Sequence, residues 1–385
     1  MVRTIMAHTS EIDDLDAAVA DIKSQISFDE LLKNTVAIIT CHYEFVLSGA
    51  MKAICESMPF PCVGTITSAQ AVNSTAGVLL LSLMIMTSDD VSFDVVMTET
   101  LLSDPCGAIE KAYIKAADEI SVRPSLILAF APFLMENSGD EYVDTITKVS
   151  GGVPVFGTLS VDDTPDLSEC YMLNGGEHYK DRMAMILFSG DISPKFFMAT
   201  ISDDKILDKP ALVTASEGHV LKELNGRPIT EYFESLGLTK ASETNYAMAS
   251  LPFMVDYNDG TPPVSKVFIG LDENKYGICA GAMPVGSTLT IGMFDKEDVL
   301  QTSRRTLCDA IDRESLGALL AYSCISRNMS LGGDLMAELE LVRGEIGEKV
   351  PFMMACSGGE ICPTRVSESK AINRFHNNTF VVCVI

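Results

Sequence analysis

The apolar positions of this chain fall into short runs separated by small-residue turns and helical stretches, and one arrangement recurs three times. Val36-Ala37-Ile38-Ile39-Thr40-Cys41 precedes Ser48-Gly49, a helical stretch over 51–56 and a second run closing on Val63-Gly64-Thr65. Leu126 to Ala131 precedes Ser138-Gly139, a helical stretch over 141–148 and a run from Val153 to Thr158. Leu319 to Cys324 precedes Gly332-Gly333, a helical stretch over 335–342 and a run from Val350 to Ala355. Strand, turn, helix, strand reads as a βαβ unit. Ligands of open α/β sheets sit at the carboxyl ends of such strands.

Ile12, Leu15, Val19, Ile22 and Ile26 keep helical spacing, so the pattern predicts an opening amphipathic helix over 10–26. After the first unit, strands over 77–86 and 91–97 are joined by the turn Ser88-Asp89-Asp90. A helix over 108–120 leads to the second unit, which is followed by strands over 183–188 and 195–201 joined by Ser189-Gly190-Asp191. Residues 30–100 and 124–202 therefore read as two copies of a βαβ-plus-hairpin module, and the third unit stands apart. The polar stretch from Asp203 to Pro210 marks a domain boundary. Beyond it, Val213 and 219–224, the turn Asn225-Gly226 and a helix over 229–236 form a small element. Strands over 266–271, 277–280 and 288–293, a helix over 298–311 and a final strand over 379–385 complete the pattern. The predicted fold class is α/β: two domains of mixed sheets with packed helices, the amino-terminal one an internal duplication.

Composition narrows the function classes. With 385 residues and 47% apolar content, the chain can bury two cores. Its formal net charge of −25 repels phosphate, which argues against nucleic acid and anionic membrane surfaces. The eleven cysteines include no C-x-x-C pair and only five histidines accompany them, so no zinc site and no metal or other cofactor is expected. The acidic start is no secretion signal, and the longest apolar run, 76–86, is too short to span a membrane. A cytoplasmic protein with free thiols is the expectation. No phosphate-binding P-loop or dinucleotide fingerprint is present, and Gly332-Gly333-Asp334-Leu335-Met336 lacks a diguanylate cyclase signature.

Several segments carry a resemblance. Phe253 to Gly260 (FMVDYNDG), Gly277 to Pro284 (GICAGAMP), Ser323 to Asn328 (SCISRN), Gly359 to Pro363 (GEICP) and Phe375 to Thr379 (FHNNT) together resemble the FIST family. The resemblance implies a FIST amino-terminal domain over 28–208 and a carboxy-terminal domain over 209–385, which leaves the amino-terminal helix to 1–27. It implies a sensory module that binds a small ligand, an amino acid being favoured, and that works with histidine kinases, chemoreceptors or cyclic-dinucleotide enzymes. No output domain is recognised, so signalling is expected in trans. One departure stands out: the family's Gly-Cys-Ser/Thr turn and following Gly-Glu appear here as Gly64-Thr65-Ile66-Thr67-Ser68, without the acid.

Candidate site residues cluster at the strand ends. Arg327 directly follows a strand, where a guanidinium suits a ligand carboxylate; the competing reading is a salt bridge to Glu345 or Glu360. Glu360, after two glycines, suits a ligand ammonium or a turn. Cys324 and Cys41 hold equivalent places, as a nucleophile or as small core residues. Asn328, His376, Asn377 and Asn378 offer polar contacts or turn chemistry. Thr65 with Ser68 and Thr158 with Ser160 lie in matching loops that suit an anion. Asp162 and Asp163 suit a helix cap, an amine or a metal. The expected ligand site is the domain junction near Arg327 and Glu360. The rival expectation is an enzyme that uses a thiol or carboxylate in the same crevice.

Overall fold

In a computed structural model of the protein, which describes residues 2–134, 137–238, 251–313, 317–348, 350–367 and 370–385, each βαβ unit lies at the centre of a six-stranded sheet. In the first sheet Asn34–Cys41 and Cys62–Ile66 run parallel, and Leu81–Ser88 lies antiparallel beside the former. In the second, Leu126–Ala131 and Val155–Leu159 are parallel and Ala184–Ser189 flanks them. In the third, Leu319–Cys324 and Phe352–Ser357 are parallel and Phe380–Val384 flanks them. The central strands are buried along almost their whole length. That is why they read as unbroken apolar runs rather than as alternating ones.

The three sheets exchange strands in a cycle. Met172–Asn174, from the loop after the second unit, pairs with Cys62–Ile66 of the first. Gly359–Ser367, from the third, pairs with Val155–Leu159 of the second. Gln70–Val72, from the first, pairs with Phe352–Ser357 of the third. The third unit therefore does not stand apart; it has the same strand order as the other two. The expected hairpins are also corrected. Ser92–Met97 leaves the first sheet after Ser88-Asp89-Asp90 and pairs with Ala184–Ser189 of the second. Lys195–Ala199 likewise crosses to pair with Phe380–Val384 of the third. A three-residue polar turn serves either geometry, and burial against the shared core decides between them.

That core is common to all three sheets. Ile38 and Met84, Leu128 and Phe156, and Leu320 and Met353 point into it from the first, second and third sheet respectively. The helices lie outside: Leu15–Ser24 and Ala50–Glu56 on the first sheet, Pro105–Glu119 and Gly139–Ser150 on the second, Lys296–Arg313 and Leu335–Ile346 on the third. Where the units meet, hydrogen bonds close a ring. Thr67 Oγ1 donates to Cys356 O at 2.9 Å, Ser160 Oγ to Ile66 O at 3.5 Å, and Gly358 N to Leu159 O at 2.9 Å. Gly64 and Gly157 are demanded by close packing, since a Cβ would fall 1.8 Å from Ile39 O or Ala129 O. The chain opens with a strand, Arg3–Thr9, at the edge of the first sheet, and the helix expected from residue 10 begins only at Leu15.

The strands between Ala211 and Ile291 build a separate curled sheet around Val213, Leu221, Phe253, Phe268 and Leu289. Val264–Lys266 and Phe268–Leu271 lie at opposite ends of its strand path, joined through Val267. The chain then returns to the three-sheet body, and the inserted sheet forms a seam with it.

Candidate functional site

The third strand end is dominated by a buried ion pair. Arg327 is fully buried, and its Nε and NH2 donate to Glu338 Oε1 at 3.1 and 2.8 Å. NH2 also donates to Val299 O at 3.0 Å and Ser303 Oγ at 2.7 Å, and NH1 faces Asn378 O at 3.5 Å. Ser323 and Ser303 hydroxyls complete the Glu338 carboxylate. Arg327 is thus committed to Glu338, and the expectation that it holds a ligand carboxylate gives way to a structural pair. The expected alternative partners are wrong as well: Glu345 pairs with Arg304 at 2.8 Å, and Glu360 lies in another cluster.

In that cluster Glu360 Oε2 accepts from Thr379 Oγ1 at 2.7 Å and Thr379 N at 3.3 Å. Glu360 Oε1 and Asn378 Nδ2 are buried without a partner. Burial pushes the Glu360 carboxyl up to about 8, against the opposing pull of Thr379, Ser357 and Cys324. The Ser326 hydroxyl joins Asn378 Oδ1 and Cys324 Sγ. Burial also drives the Cys324 thiol well up, as does the nearby Glu360 charge, so the thiol is a packing group. Cys41 is raised in the same way inside the first sheet's outer core. His376 is held down to about 3 by burial, with Nε2 at 3.2 Å from both Thr364 Oγ1 and Cys362 O; it is a neutral structural imidazole. Asn328 donates to Cys356 Sγ at 3.4 Å. Asn377 N donates to Ser265 O at 3.0 Å, tying the last strand to the curled sheet.

The loop residues of the first two units are satisfied locally. The Thr65 hydroxyl donates to main-chain carbonyls, and Thr158 Oγ1 donates to Ser357 Oγ at 2.8 Å. Asp162 accepts from Thr164 N at 2.7 Å, from the Thr164 hydroxyl and from Glu169 N, so it builds its own loop. These contacts replace the anion cradle and the amine site expected there. Asp163 sits 3.1 Å from His42 Nε2. Among the described residues, no group of three or more His, Cys, Asp or Glu side chains is placed to hold a metal ion.

The sequence-selected segments converge elsewhere, on the seam between the curled sheet and the body. Lys266 Nζ, fully buried, donates to Asp140 Oδ1 at 2.8 Å, to Asp140 Oδ2 at 2.9 Å and to Phe375 O at 2.8 Å. It also lies 5.0 Å from the centre of the Phe375 ring. Asp140 Oδ2 accepts from Ala282 N at 2.7 Å. Gly281 permits this approach, because a Cβ there would lie 2.7 Å from both Asp140 Oδ2 and Lys266 Nζ. Arg374 pairs with Asp259 and stacks 4.8 Å over Tyr257. Burial lowers the Lys266 ammonium despite Asp140, and burial with the Asp140 charge raises Asp144. Beside this pair opens a cavity of about 480 Å³. Cys106, Asp140, Glu141 and Asp144 line it from the body, Glu217 and His219 from the curled sheet. None of these lining residues was selected from the sequence. The available signals were Lys266, a lone charge in an apolar strand, and Asp140, at the first turn of a helix.

Residues 35–227 match the profile of the FIST N domain and residues 229–363 that of the FIST C domain. No curated protein matches the chain in sequence. Among solved structures, the cyanuric acid hydrolase of A. caulinodans aligns over 100% of this chain and 99% of its own, at 9% identity and a TM-score of 0.36. Phosphoribosylformylglycinamidine synthase II of Thermotoga maritima aligns over 99% and 71%, at 12% identity and a TM-score of 0.22. Likeness at that level says nothing about ligand or reaction.

Proposed function

Because the chain belongs to the FIST family of sensory domains, we propose that it is a cytoplasmic sensor that binds a small polar metabolite where its two family domains meet and signals in trans. The observation that supports this most is the seam cavity, lined by both the three-sheet body and the curled sheet and bordered by the Asp140–Lys266 pair. Glu141, Asp144 and Glu217 suit an ammonium group, so an amino acid or a related amine is the favoured ligand. Ligand contacts to both walls would favour one arrangement of the curled sheet on the body over another, and a partner would respond to that difference. A histidine kinase, chemoreceptor or cyclic-dinucleotide enzyme fits the family's usual associations. Eleven free thiols suit a reducing compartment. Among the described residues no helix is long and apolar enough to cross a membrane. The sensor reading is favoured over thiol catalysis because burial disfavours the thiolate of both Cys41 and Cys324. Calorimetric titration with a panel of amino acids and amines tests the site. The expected result is one ligand whose affinity falls tenfold or more in Asp144→Asn and Glu217→Gln. Binding unchanged in both variants would place the ligand elsewhere.

A further inference from the structure

The Glu360 cluster carries an inference that does not depend on the seam cavity. Glu360 is the second residue of the strand Gly359–Ser367, at the point where the third unit crosses into the second sheet. Its carboxyl has no cation to pair with: Arg327 is spent on Glu338, and Lys266 on Asp140. The titratable groups around it are Cys324 on the neighbouring third-sheet strand, Cys362 on its own strand and His376 opposite it on Lys370–His376. Thr379 and Ser357 face it with hydroxyls. Burial holds both thiols in the neutral form, and His376 is neutral too.

The fold supplies an internal comparison. Gln70 in the first unit and Glu360 in the third hold one register position. Gln70 lies opposite Ala355, which pairs with Tyr322; Glu360 lies opposite Thr158, which pairs with Phe130. Gln70 is fully satisfied there as a neutral amide, accepting from the Thr40 hydroxyl and donating to Thr40 O at 3.2 Å and Leu80 O at 2.6 Å. A neutral carboxylic acid is the chemical counterpart of that amide, and a carboxylate is not. In Glu360, Oε2 already accepts two hydrogen bonds, so the proton belongs on Oε1, the oxygen without a partner. Asn378 Oδ1 likewise accepts from Ser326, which leaves its Nδ2 hydrogens without an acceptor. Both residues are 0% exposed.

We propose that Glu360 is a neutral carboxylic acid and that its Oε1–H and the Asn378 amide form an enclosed two-donor site for one acceptor oxygen. Buried polar groups that lack protein partners are commonly completed by an internal molecule of this kind. The oxygen belongs to a water or to a carbonyl or carboxylate group of a small metabolite, and an ammonium ion is excluded. This reverses the ammonium role expected of Glu360.

The test uses the full chain with glutamate side chains labelled with ¹³C at the carboxyl. One signal is expected to titrate near 8 and to be absent in Glu360→Gln. A high-resolution crystal structure at pH 6 is expected to show an oxygen within about 3 Å of both Oε1 and Nδ2. A spherical peak identifies water; extended density, with a matching mass in the denatured extract, identifies a metabolite. Asn378→Asp carries its own acceptor and should lose the guest. It keeps the test readable if Glu360→Gln does not fold. Every glutamate titrating below 6, a direct bond between Oε1 and Nδ2, or an empty site would overturn the proposal.

Discussion

Removing Lys266 tests whether the seam is held by one buried pair or by diffuse packing. Lys266→Met keeps the length of the side chain and removes its charge. Asp140 then retains the Ala282 amide and lies at the cavity edge, so water can reach it. Asp140→Asn instead leaves the ammonium fully buried with Phe375 O and one amide oxygen. Breaking a buried pair from one side costs about 3–5 kcal/mol. Lys266→Met should fall at the lower end of that range and Asp140→Asn at the upper, limited by release of the lysine proton, which burial already favours. With both charges gone no uncompensated ion remains, so the double variant should recover roughly 2 kcal/mol relative to the sum of the singles. A chain of this length need not unfold in one step. The readout should therefore combine denaturation midpoints with hydrogen exchange at the Ala282 amide, whose acceptor is Asp140. Protection of that amide should fall in Asp140→Asn more than in Lys266→Met. Single-variant costs that simply add, within about 0.5 kcal/mol, would refute the pairwise account.

Gly157→Ala should destabilise by more than about 3 kcal/mol, because its Cβ would meet the backbone oxygen of Ala129 and no side chain can yield. Gly344→Ala, in the helix Leu335–Ile346 with open space at its Cβ, should raise the melting temperature through a gain of about 0.5–1 kcal/mol. Equal melting temperatures for the two would defeat the packing argument. Stability should also fall with pH on account of Glu360. Its folded carboxyl titrates at about 8, whereas an unfolded glutamate titrates near ~4.3. The folded state therefore holds the proton more tightly; the benefit is complete below ~4.3 and is lost as pH rises to 8, by about 1.4 kcal/mol per unit. Glu360→Gln should flatten that part of the profile in denaturation between pH 5 and 8, and parallel profiles for the two proteins would contradict it.

The three βαβ units were legible because strands such as Leu126–Ala131 are buried on both faces and carry no polar break. The crossing of strands between sheets was not legible. Ser88-Asp89-Asp90 gives one local signal whether the next strand turns back or swings to a neighbour, and only the partner Ala184–Ser189 tells them apart. The opening strand Arg3–Thr9 was hidden by its half-buried mixture of Arg, Thr and His, typical of a sheet edge. Arg327 drew attention because it follows a strand end and Glu360 because it follows two glycines, but their partners are set in three dimensions. Arg327 found Glu338, on the helix Leu335–Ile346. Lys266 and Asp140 are 126 residues apart, so nothing local links them.

The segment Arg374–Thr379 explains why so much polarity gathers in the third unit. Arg374 pairs with Asp259 and Phe375 O accepts from Lys266, both from the curled sheet. Asn377 N donates to Ser265 O, again across the seam. One residue further, Asn378 O faces Arg327, and Thr379 donates to Glu360, both inside the body. Five of these six residues thus hold the inserted sheet on one side and the buried Arg327–Glu338 and Glu360 groups on the other. Asn378 has φ of +54°, so the turn between the two sets is conformationally specific. Displacing the curled sheet enough to separate Lys266 from Asp140 must also move Phe375 O, and with it the residues that satisfy Arg327 and Glu360. Unpaired buried groups are costly, so such a displacement favours two discrete arrangements over a continuous slide. In the first unit, the equivalent of Glu360 is the fully satisfied Gln70, whose partners Thr40 and Leu80 both belong to that unit. Glu360 Oε1 and Asn378 Nδ2, both left with unmet hydrogen bonds, belong to the segment that also carries the seam contacts or touches it.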